Sequence, residues 1–344
     1  MKILCIGEEW RGSNSSGFFY ALTRQGHIIH IVNELSHVSV KARDLFAKIC
    51  NRLIRQFQIN DLNEQLDRIT SAFRPNLILV YKGAFVKPET VHGWKARGIP
   101  VIIFFPDVSF LAHGNLIPAC IPLYDHIFST KSFAADDIRR LFRRDKSSIS
   151  FIPHGFDPLI HRPVRSVDDT FSCAASFIGS YSAHKQHYLV SLKMKLPDLD
   201  LKIWGGTWSG KSSLKSSVQL ISIEGDQYAL ALNQSHVNIA LLSELVEGAS
   251  RGDQITSRTF HIPASGGFML HQRTEEVLHY FDEGKEMACF ESVDELVEKV
   301  QFYLNNPIER IRIRDQGYKR ALAEHSLDRR VQLVMTILKD RGLV

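Results

Sequence analysis

The chain has 344 residues, a formal net charge of +5 and 44% hydrophobic residues, which is typical of a globular protein with two domains of ordinary size. No apolar run is long enough to cross a bilayer, and the opening segment Met1–Gly7 lacks a cleavage site, so we expect no signal peptide. The five cysteines show no paired spacing, which indicates reduced thiols and a cytoplasmic location. The mild basic charge permits an anionic partner, such as a nucleotide, a nucleic acid or a lipid surface.

The first half of the chain alternates apolar strands with helices. Lys2–Ile6 and His27–Val32 are predicted strands on either side of a helix from Phe18 to Gln25, and this βαβ unit indicates a parallel sheet. The polar loop 7–17 follows the first strand, where such sheets bind ligands, but its glycine spacing is wrong for a dinucleotide fingerprint. A basic amphipathic helix is predicted for Lys41–Phe57. Its pattern favours a solvated face over peripheral contact with an anionic membrane or an acceptor.

Four further apolar segments extend the predicted sheet: Arg74–Tyr81, Ile99–Phe105, Tyr124–Ser129 and Ser148–Ile152. Asp107 and His113 follow the second of these strands. Either side chain could deprotonate an acceptor hydroxyl group if a cleft holds that group close. The alternative is that Asp107 stabilises a turn and that His113 is an ordinary loop residue.

The second half of the chain contains a motif that resembles a phosphate-binding loop. Ala175–Ser180 and Leu199–Trp204 are predicted strands, and the second leads into Gly205–Ser212, which matches the Walker A pattern at every position. That loop needs a long helix directly after Lys211 and Ser212, whereas the sequence here turns into a strand. A P-loop nucleotidase is therefore the minor alternative.

The segment Arg251–Leu270 is predicted to form a loop, a short helix, a glycine turn and a buried strand. Asp253, Thr256 and Ser257 favour a helix start. The backbone amides of Thr256 and Ser257 would then point out of the positive end of the helix, beside Arg258. Amides and a guanidinium group suit a diphosphate, although an ordinary helix with a surface arginine would have the same sequence.

This segment resembles the C-terminal domain of the group 1 glycosyltransferases, most closely the branch typified by the spore maturation protein CgeB. The branch has the pattern Arg-Thr-Phe-Glu-Ile-Pro-Ala-Ser/Cys-Gly-Gly-Phe-hydrophobic-Leu, which stands here as Arg258-Thr-Phe-His-Ile-Pro-Ala-Ser-Gly-Gly-Phe-Met-Leu270. The similarity continues through Glu275-Glu276 and Phe281–Glu286 to His325–Arg330. It is strong over the C-terminal part of the chain and weak elsewhere.

The resemblance implies an α/β protein of the GT-B fold, with two Rossmann-like domains facing a cleft. Residues 1–160 would be the acceptor domain and residues 171–325 the nucleotide-sugar-binding domain, joined by a linker. Residues 326–344 would form a helix that crosses back to pack on the N-terminal domain. The implied activity is transfer of a hexosyl or related sugar from a nucleotide-activated donor to an acceptor hydroxyl. No cofactor and no metal are expected, and a saccharide, a protein or a modified nucleobase could be the acceptor.

The resemblance also assigns residues to the donor diphosphate. Gly179 and Ser180 end a predicted strand. In relatives, the corresponding strand is followed by a basic residue that contacts the diphosphate. Lys185 fits that role, and His184 is the alternative. Lys185 and Arg258, together with the helix amides, would stabilise the departing diphosphate. Trp208 would lie near the nucleotide base.

Related enzymes carry two acidic residues eight positions apart, one near the donor sugar and one on the ribose. Asp253 and His261 occupy these positions here. A histidine can hydrogen-bond a ribose hydroxyl group, and Glu276 or Glu275 could substitute for the missing acid. A helix is predicted for Thr274–Phe281, and the alternative for the two glutamates is that acidic residues favour its N-terminus.

Two further functions are compatible with the same resemblance. A nucleotide-sugar epimerase of the GT-B fold would turn over the donor without any acceptor. A non-catalytic sugar-nucleotide-binding protein would bind the donor without turnover, and the histidine at position 261 is the residue that motivates this alternative.

Overall fold

The computed structural model describes residues 1–38, 45–164, 166, 169–208, 214–219 and 221–344, and only the backbone of residues 45–53. The chain forms two compact units. The first unit comprises Met1–Pro153, Leu245–Arg251 and Asp328–Val344, and the second comprises His154–Glu244 and Gly252–Leu327. Within the described ranges, no helix has both the length and the apolar character needed to cross a bilayer.

The first unit contains a six-stranded parallel sheet in the order β2-β1-β3-β4-β5-β6. Its strands are β1 (Lys2–Gly7), β2 (Ile28–Asn33), β3 (Leu77–Tyr81), β4 (Val101–Phe105), β5 (His126–Ser129) and β6 (Ile149–Phe151). Its helices are α1 (Asn14–Arg24), α2 (Glu34–His37), α3 (Leu45–Phe73), α4 (Pro88–Ala96), α5 (Leu116–Cys120) and α6 (Ala134–Phe142), with 3₁₀ turns at Ile121–Leu123 and Lys146–Ser148. Every residue of β3 and β4 is buried, which explains why these strands are apolar throughout rather than alternating.

The second unit contains a five-stranded parallel sheet in the order β11-β10-β9-β7-β8. Its strands are β7 (Cys173–Ile178), β8 (Leu201–Trp204), β9 (Ser235–Ala240), β10 (Met269–Gln272) and β11 (Ala288–Phe290). Its helices are α7 (Ala183–Lys195), α8 (Asp226–Gln234), α9 (Arg258–Ala264), α10 (Val293–Asn305) and α11 (Pro307–Glu324), with a 3₁₀ turn at Val277–His279. Because all strands are parallel, the loops after β7 and β9 leave the same edge of this sheet.

The last helix, α12 (Leu327–Asp340), belongs to the first unit from Asp328 onward. Arg24 at the end of α1 donates two hydrogen bonds to the Asp328 carboxylate, at 2.7 and 2.9 Å. Val331 and Leu338 on the same helix are fully buried. A bidentate ion pair and an apolar stripe therefore attach the C-terminal helix to the unit that the N-terminus forms.

Helix α1 begins at Asn14, four residues before the Phe18 expected from the sequence. The reason is a side-chain cap, since Ser13 Oγ accepts a hydrogen bond from Ser16 N at 3.1 Å. The last four residues of the segment predicted as a polar loop are therefore the first turn of a helix.

The helix predicted for Thr274–Phe281 is wrong, because the structure has only the 3₁₀ turn Val277–His279 there. Thr274 Oγ1 accepts from Val277 N at 3.1 Å and donates to Gln254 O at 2.8 Å. Thr274 therefore caps the start of this turn, but the segment does not continue as a helix beyond His279.

Two sequence predictions lie partly outside the described residues. Residues 41–44 of the basic helix lie outside the described residues, as do the side chains of residues 45–53. The described backbone of this helix continues beyond the predicted end at Phe57 to Phe73, as the single helix α3. Lys211 and Ser212 of the Walker A pattern are also outside the described residues.

Candidate functional site

The first candidate site lies in the second unit, where Lys185 is held in the first turn of α7. Ser182 precedes this helix and its Oγ accepts a hydrogen bond from Lys185 N at 3.3 Å. The lysine side chain is buried, and its Nζ donates to Ser180 O at 3.4 Å and to Ser243 Oγ at 3.2 Å. Burial is the main cause that lowers the pKa of Lys185 from 10.5 to about 8, and the positive charge of Arg258 contributes to the same shift.

Arg258 is the second cation of this site. It opens α9, and its Nη2 donates to Leu241 O at 2.7 Å while its Nη1 donates to Ile178 O at 3.4 Å. The guanidinium group lies 5.3 Å from the centre of the Phe177 ring, a cation–π contact. Arg258 Nε is buried and has no hydrogen-bond partner among the described residues. Burial lowers the pKa of Arg258, but an arginine stays charged in a protein.

Gly179 leaves the space that the guanidinium group occupies. A Cβ atom at this position would lie 2.6 Å from Arg258 Nη1. A Cβ atom at Gly205 would lie 2.1 Å from the Gly179 oxygen, so two backbone segments cross here in close contact. The expectation that Gly179 belongs to this site therefore has a steric basis.

The partners of both cations are neutral oxygens, and in the described part of the chain neither Lys185 nor Arg258 forms a salt bridge with a carboxylate. Asp253 is buried and its N donates to Ser243 O at 2.9 Å. Its negative charge raises the pKa values of both cations, and that of Glu244 raises the pKa of Lys185. Two neighbouring buried positive charges repel each other, so this arrangement gains free energy when an anion binds between them.

The amide contribution expected at the start of α9 is only partly available. Thr256 N donates to Thr259 Oγ1 at 3.1 Å, so this amide is not free for a ligand. The helix has seven residues, and the side chain of Ser257 does not cap it. Thr256 Oγ1, in contrast, is buried without a hydrogen-bond partner in the described ranges.

His261 lies in a buried cluster of rings. Its ring stacks on His161 with centroids 3.7 Å apart, its Nε2 donates to Gly155 O at 3.2 Å, and its Nδ1 accepts from Tyr228 OH at 3.4 Å. These partners assign the tautomer. Burial holds the pKa of His261 well below its usual range, so the ring is neutral. In this structure neither ring nitrogen is left for the ribose contact expected from the sequence.

Three other predicted donor residues lie in different environments. Trp208 is buried, and its Nε1 donates to Gly179 O at 2.8 Å, so the indole fixes the glycine crossing with its only polar group. Ser180 is exposed, and its carbonyl accepts from Lys185. Glu276 is half-buried directly before the 3₁₀ turn. Lys185 and Trp208 thus donate hydrogen bonds to two consecutive backbone carbonyls, those of Ser180 and Gly179.

The second candidate site lies in the first unit and contains both predicted catalytic residues. His113 Nε2 lies 2.7 Å from Asp107 Oδ2, and Lys82 Nζ lies 3.1 Å from the same oxygen. Burial alone would raise the pKa of Asp107, but the hydrogen bonds and charges of His113 and Lys82 lower it well below its usual range. Lys82 has a left-handed backbone (φ +70°), which directs the chain away from the end of β3. The ion pair between Lys82 and Asp107 depends on tertiary structure, so the sequence could not predict it.

A cavity of about 590 Å³ adjoins this cluster, within the range of about 300–1,000 Å³ that small-molecule pockets occupy. Lys82 and His113 line it, together with Glu8, Glu34 and Phe85. Glu34 is buried, and burial raises its pKa from 4.5 to about 8. The sequence analysis missed Glu34, because an acidic residue in the first turn of a helix is unremarkable by its pattern alone.

Solved structures of low sequence identity share the architecture of the whole chain. Sucrose-phosphate synthase from Thermosynechococcus elongatus matches with a TM-score of 0.68 and 12% identity over 99% of both chains. HepE from Anabaena, in complex with UDP and glucose, matches with a TM-score of 0.64 and 12% identity over 99% of this chain and 100% of its own. UDP-GlcNAc 2-epimerase from Neisseria meningitidis, bound to UDP-GlcNAc, matches with a TM-score of 0.51 and 12% identity over 99% and 100%. Together with the two parallel-sheet units, these matches confirm the GT-B fold predicted from the sequence.

Residues 185–336 match the family model described as glycosyl transferase-like. Lys185 and Arg258 both lie within the matched segment. No curated protein sequence matches the chain at a significant level. The closer resemblance to the CgeB-like branch stays a prediction.

Proposed function

We propose that the protein is a glycosyltransferase that moves a hexosyl or related sugar from a nucleoside-diphosphate donor to an acceptor hydroxyl group, without a metal ion and in the cytoplasm. The observation that supports this most is the pair of buried cations, Lys185 and Arg258, with neutral partners only. The glycosyl transferase-like domain match covers both residues. The CgeB-like sequence pattern around Arg258 supports the narrower assignment to that branch.

The proposed reaction develops negative charge on the leaving group. The bond between the sugar carbon and the diphosphate oxygen breaks, and a bond to the acceptor oxygen forms. The Lys185 ammonium and the Arg258 guanidinium stabilise the departing nucleoside diphosphate, as cations placed in advance do in other transfer reactions. The pair would thereby supply the charge that a metal ion supplies elsewhere.

In a direct displacement, His113 takes the proton of the acceptor hydroxyl group. Its Nε2 faces Asp107, so this nitrogen carries the hydrogen and Nδ1 is the basic one. Asp107 is a poor base because the hydrogen bond from His113 and the positive charge of Lys82 hold its pKa low. Of the two candidates raised by the sequence, His113 is therefore the base and Asp107 its positioning residue.

The relatives suggest the first donor to test. HepE has been solved with UDP, with UDP and glucose, and with UDP-glucose. We infer that UDP-sugars are substrates of this chain and that UDP is the released product. The acceptor can be a saccharide, a protein or a modified nucleobase.

A nucleotide-sugar epimerase is the second candidate, because the Neisseria 2-epimerase shares the fold and binds UDP-GlcNAc. An epimerase inverts a carbon of the donor sugar and needs no acceptor. Turnover of the donor alone, with retention of the diphosphate bond or with acceptor-independent release of UDP, would favour it.

The test is acceptor-dependent release of nucleoside diphosphate from a panel of nucleotide sugars in the presence of EDTA. We expect release only when a saccharide acceptor is present, and loss of release in Lys185→Met. Lys202→Met is the matched control, since Lys202 Nζ contacts Thr170 O at the exposed surface of the same unit. Release that needs no acceptor, or that survives Lys185→Met, would contradict the proposal.

A further inference from the structure

Glu34 is a buried carboxyl group with an unused hydrogen-bonding atom. It is the first residue of α2, directly after the carboxyl end of β2, and it is 2% exposed. The backbone of Phe85 contributes a hydrogen bond to the carboxyl group, yet Glu34 Oε1 is buried without a partner among the described residues. Buried polar atoms in native proteins nearly always have a partner, so an orphaned one that lines a cavity indicates a ligand contact.

The surroundings of Glu34 favour its neutral form. Burial is the main cause of the raised pKa of about 8, and the negative charge of Glu8 adds to it. Lys82 opposes this effect, but its ammonium group is already paired with Asp107. Tyr124, also fully buried, has an unpartnered hydroxyl group in the described part of the chain and interacts electrostatically with Glu34.

The other charged groups around the cavity are engaged or exposed. Arg55 is exposed and lies over the Phe85 ring, at 5.9 Å from its centre. Lys87 Nζ donates to Asn60 Oδ1. His113 is held by Asp107. None of these groups ion-pairs with Glu34 among the described residues.

A protonated carboxyl group has a defined recognition chemistry. It donates one hydrogen bond and accepts others, which complements a hydroxyl group that does both. An amine would instead require an ionised carboxylate, and an acidic ligand would be repelled by Glu8. The apolar wall formed by Leu35, Ile59 and Phe85 suits the C–H face of a ring.

We propose that this cavity is the acceptor site, that it takes an uncharged saccharide, and that Glu34 determines this specificity by hydrogen-bonding a sugar hydroxyl group. The assignment of this cavity as an acceptor site rests on the proposed glycosyltransferase function. Because Glu34 keeps its proton at neutral pH, it is a binding residue and leaves the role of base to His113.

The test is direct binding, without a nucleotide, so that it does not depend on catalysis. Methyl glycosides of glucose, galactose and mannose are titrated into the full-length protein by calorimetry or ligand-observed NMR. Ethanolamine and acetate are the charged probes. The variants are Glu34→Gln, which keeps a neutral group of the same shape, and Glu34→Ala, with the exposed Glu64→Gln as the matched control. Thermal melts establish that each variant is folded.

We expect at least one glycoside to bind, with an affinity about tenfold or more weaker in Glu34→Ala and within about threefold in Glu34→Gln, as a lost hydrogen bond implies. Binding to the wild type should weaken above about pH 8, whereas binding to Glu34→Gln should not. The inference is overturned if no glycoside binds, if a charged probe binds more tightly, or if Glu34→Ala binds as the wild type does. Glu34-dependent binding without sugar transfer would leave the saccharide site and the role of Glu34 standing and reject the proposed function instead.

Discussion

Replacement of Lys185 by methionine is expected to stabilise the ligand-free protein. Lys185 is 4% exposed and close to a second cation, and burial together with that second charge lowers its pKa from 10.5 to about 8. Each tenfold loss of proton affinity corresponds to about 1.4 kcal/mol, so the buried charge costs the folded state about 3 kcal/mol. The long contacts with Ser180 and Ser243 offset about 1 kcal/mol of this. The net gain in the free energy of unfolding is therefore about 2 kcal/mol.

The pH dependence has a defined sign. The unfolded chain binds this proton more tightly than the folded protein, so the cost is complete below about pH 8 and disappears as the pH rises towards 10.5. The variant should be more stable than the wild type at neutral pH. The difference between them should shrink steadily between those two pH values.

Differential scanning calorimetry without nucleotide measures this difference. A change of 1 kcal/mol shifts the melting temperature of a domain of this size by about 2–4 °C, so Lys185→Met should melt about 4–8 °C higher at neutral pH. Lys202→Met should show no such gain, because its ammonium group contacts a carbonyl at the exposed surface. A Lys185→Met protein that melts below the wild type would refute the reasoning, since the ammonium group would then have a compensating partner.

Three other substitutions test separate parts of the account. Gly179→Ala places a methyl group 2.6 Å from Arg258 Nη1, which should displace the guanidinium group and weaken nucleotide binding about tenfold or more. Gly206→Ala is the control in the same binding assay, because the space around Gly206 is open. His261→Glu should lower the free energy of unfolding by about 3 kcal/mol in chemical denaturation, because a carboxylate would face the Gly155 carbonyl; tighter nucleotide binding would instead establish a ribose role for this position. Asp107→Asn should lower kcat about 100-fold or more in steady-state kinetics with the donor KM unchanged, and an unchanged kcat would exclude a role for the Asp107 pair.

The fold was largely predictable because local patterns of apolar and polar residues indicate most of its strands and helices. The strands β3 and β4 are apolar at every position, which indicates a sheet covered on both faces. The start of α1 was missed because Ser13 caps the helix within a segment that reads as a polar loop. The short turn at Val277–His279 was missed because Thr274 and the two glutamates after it are residues that also favour the start of a longer helix.

The candidate sites were predictable only in part. Lys185 and Arg258 were found through a family resemblance, but their shared lack of an acidic partner is a tertiary property. His261 occupies a position that suggests a ribose ligand, whereas its partners in the structure come from Gly155 and Tyr228, which are distant in sequence. Glu34 has no sequence signal, because burial and a neighbouring cavity give it its significance.

The central claim is that Lys185 and Arg258 form the binding site of a nucleoside diphosphate. The most direct measurement is isothermal titration calorimetry of UDP and other nucleoside diphosphates in EDTA, with the wild type, Lys185→Met, Arg258→Lys and the control Lys202→Met. The account predicts metal-independent binding of at least one nucleoside diphosphate, unchanged in the control and weakened about tenfold or more in the other two variants, because Arg258→Lys keeps the charge but loses the planar fork. Absence of binding, or binding that survives both substitutions, would contradict it.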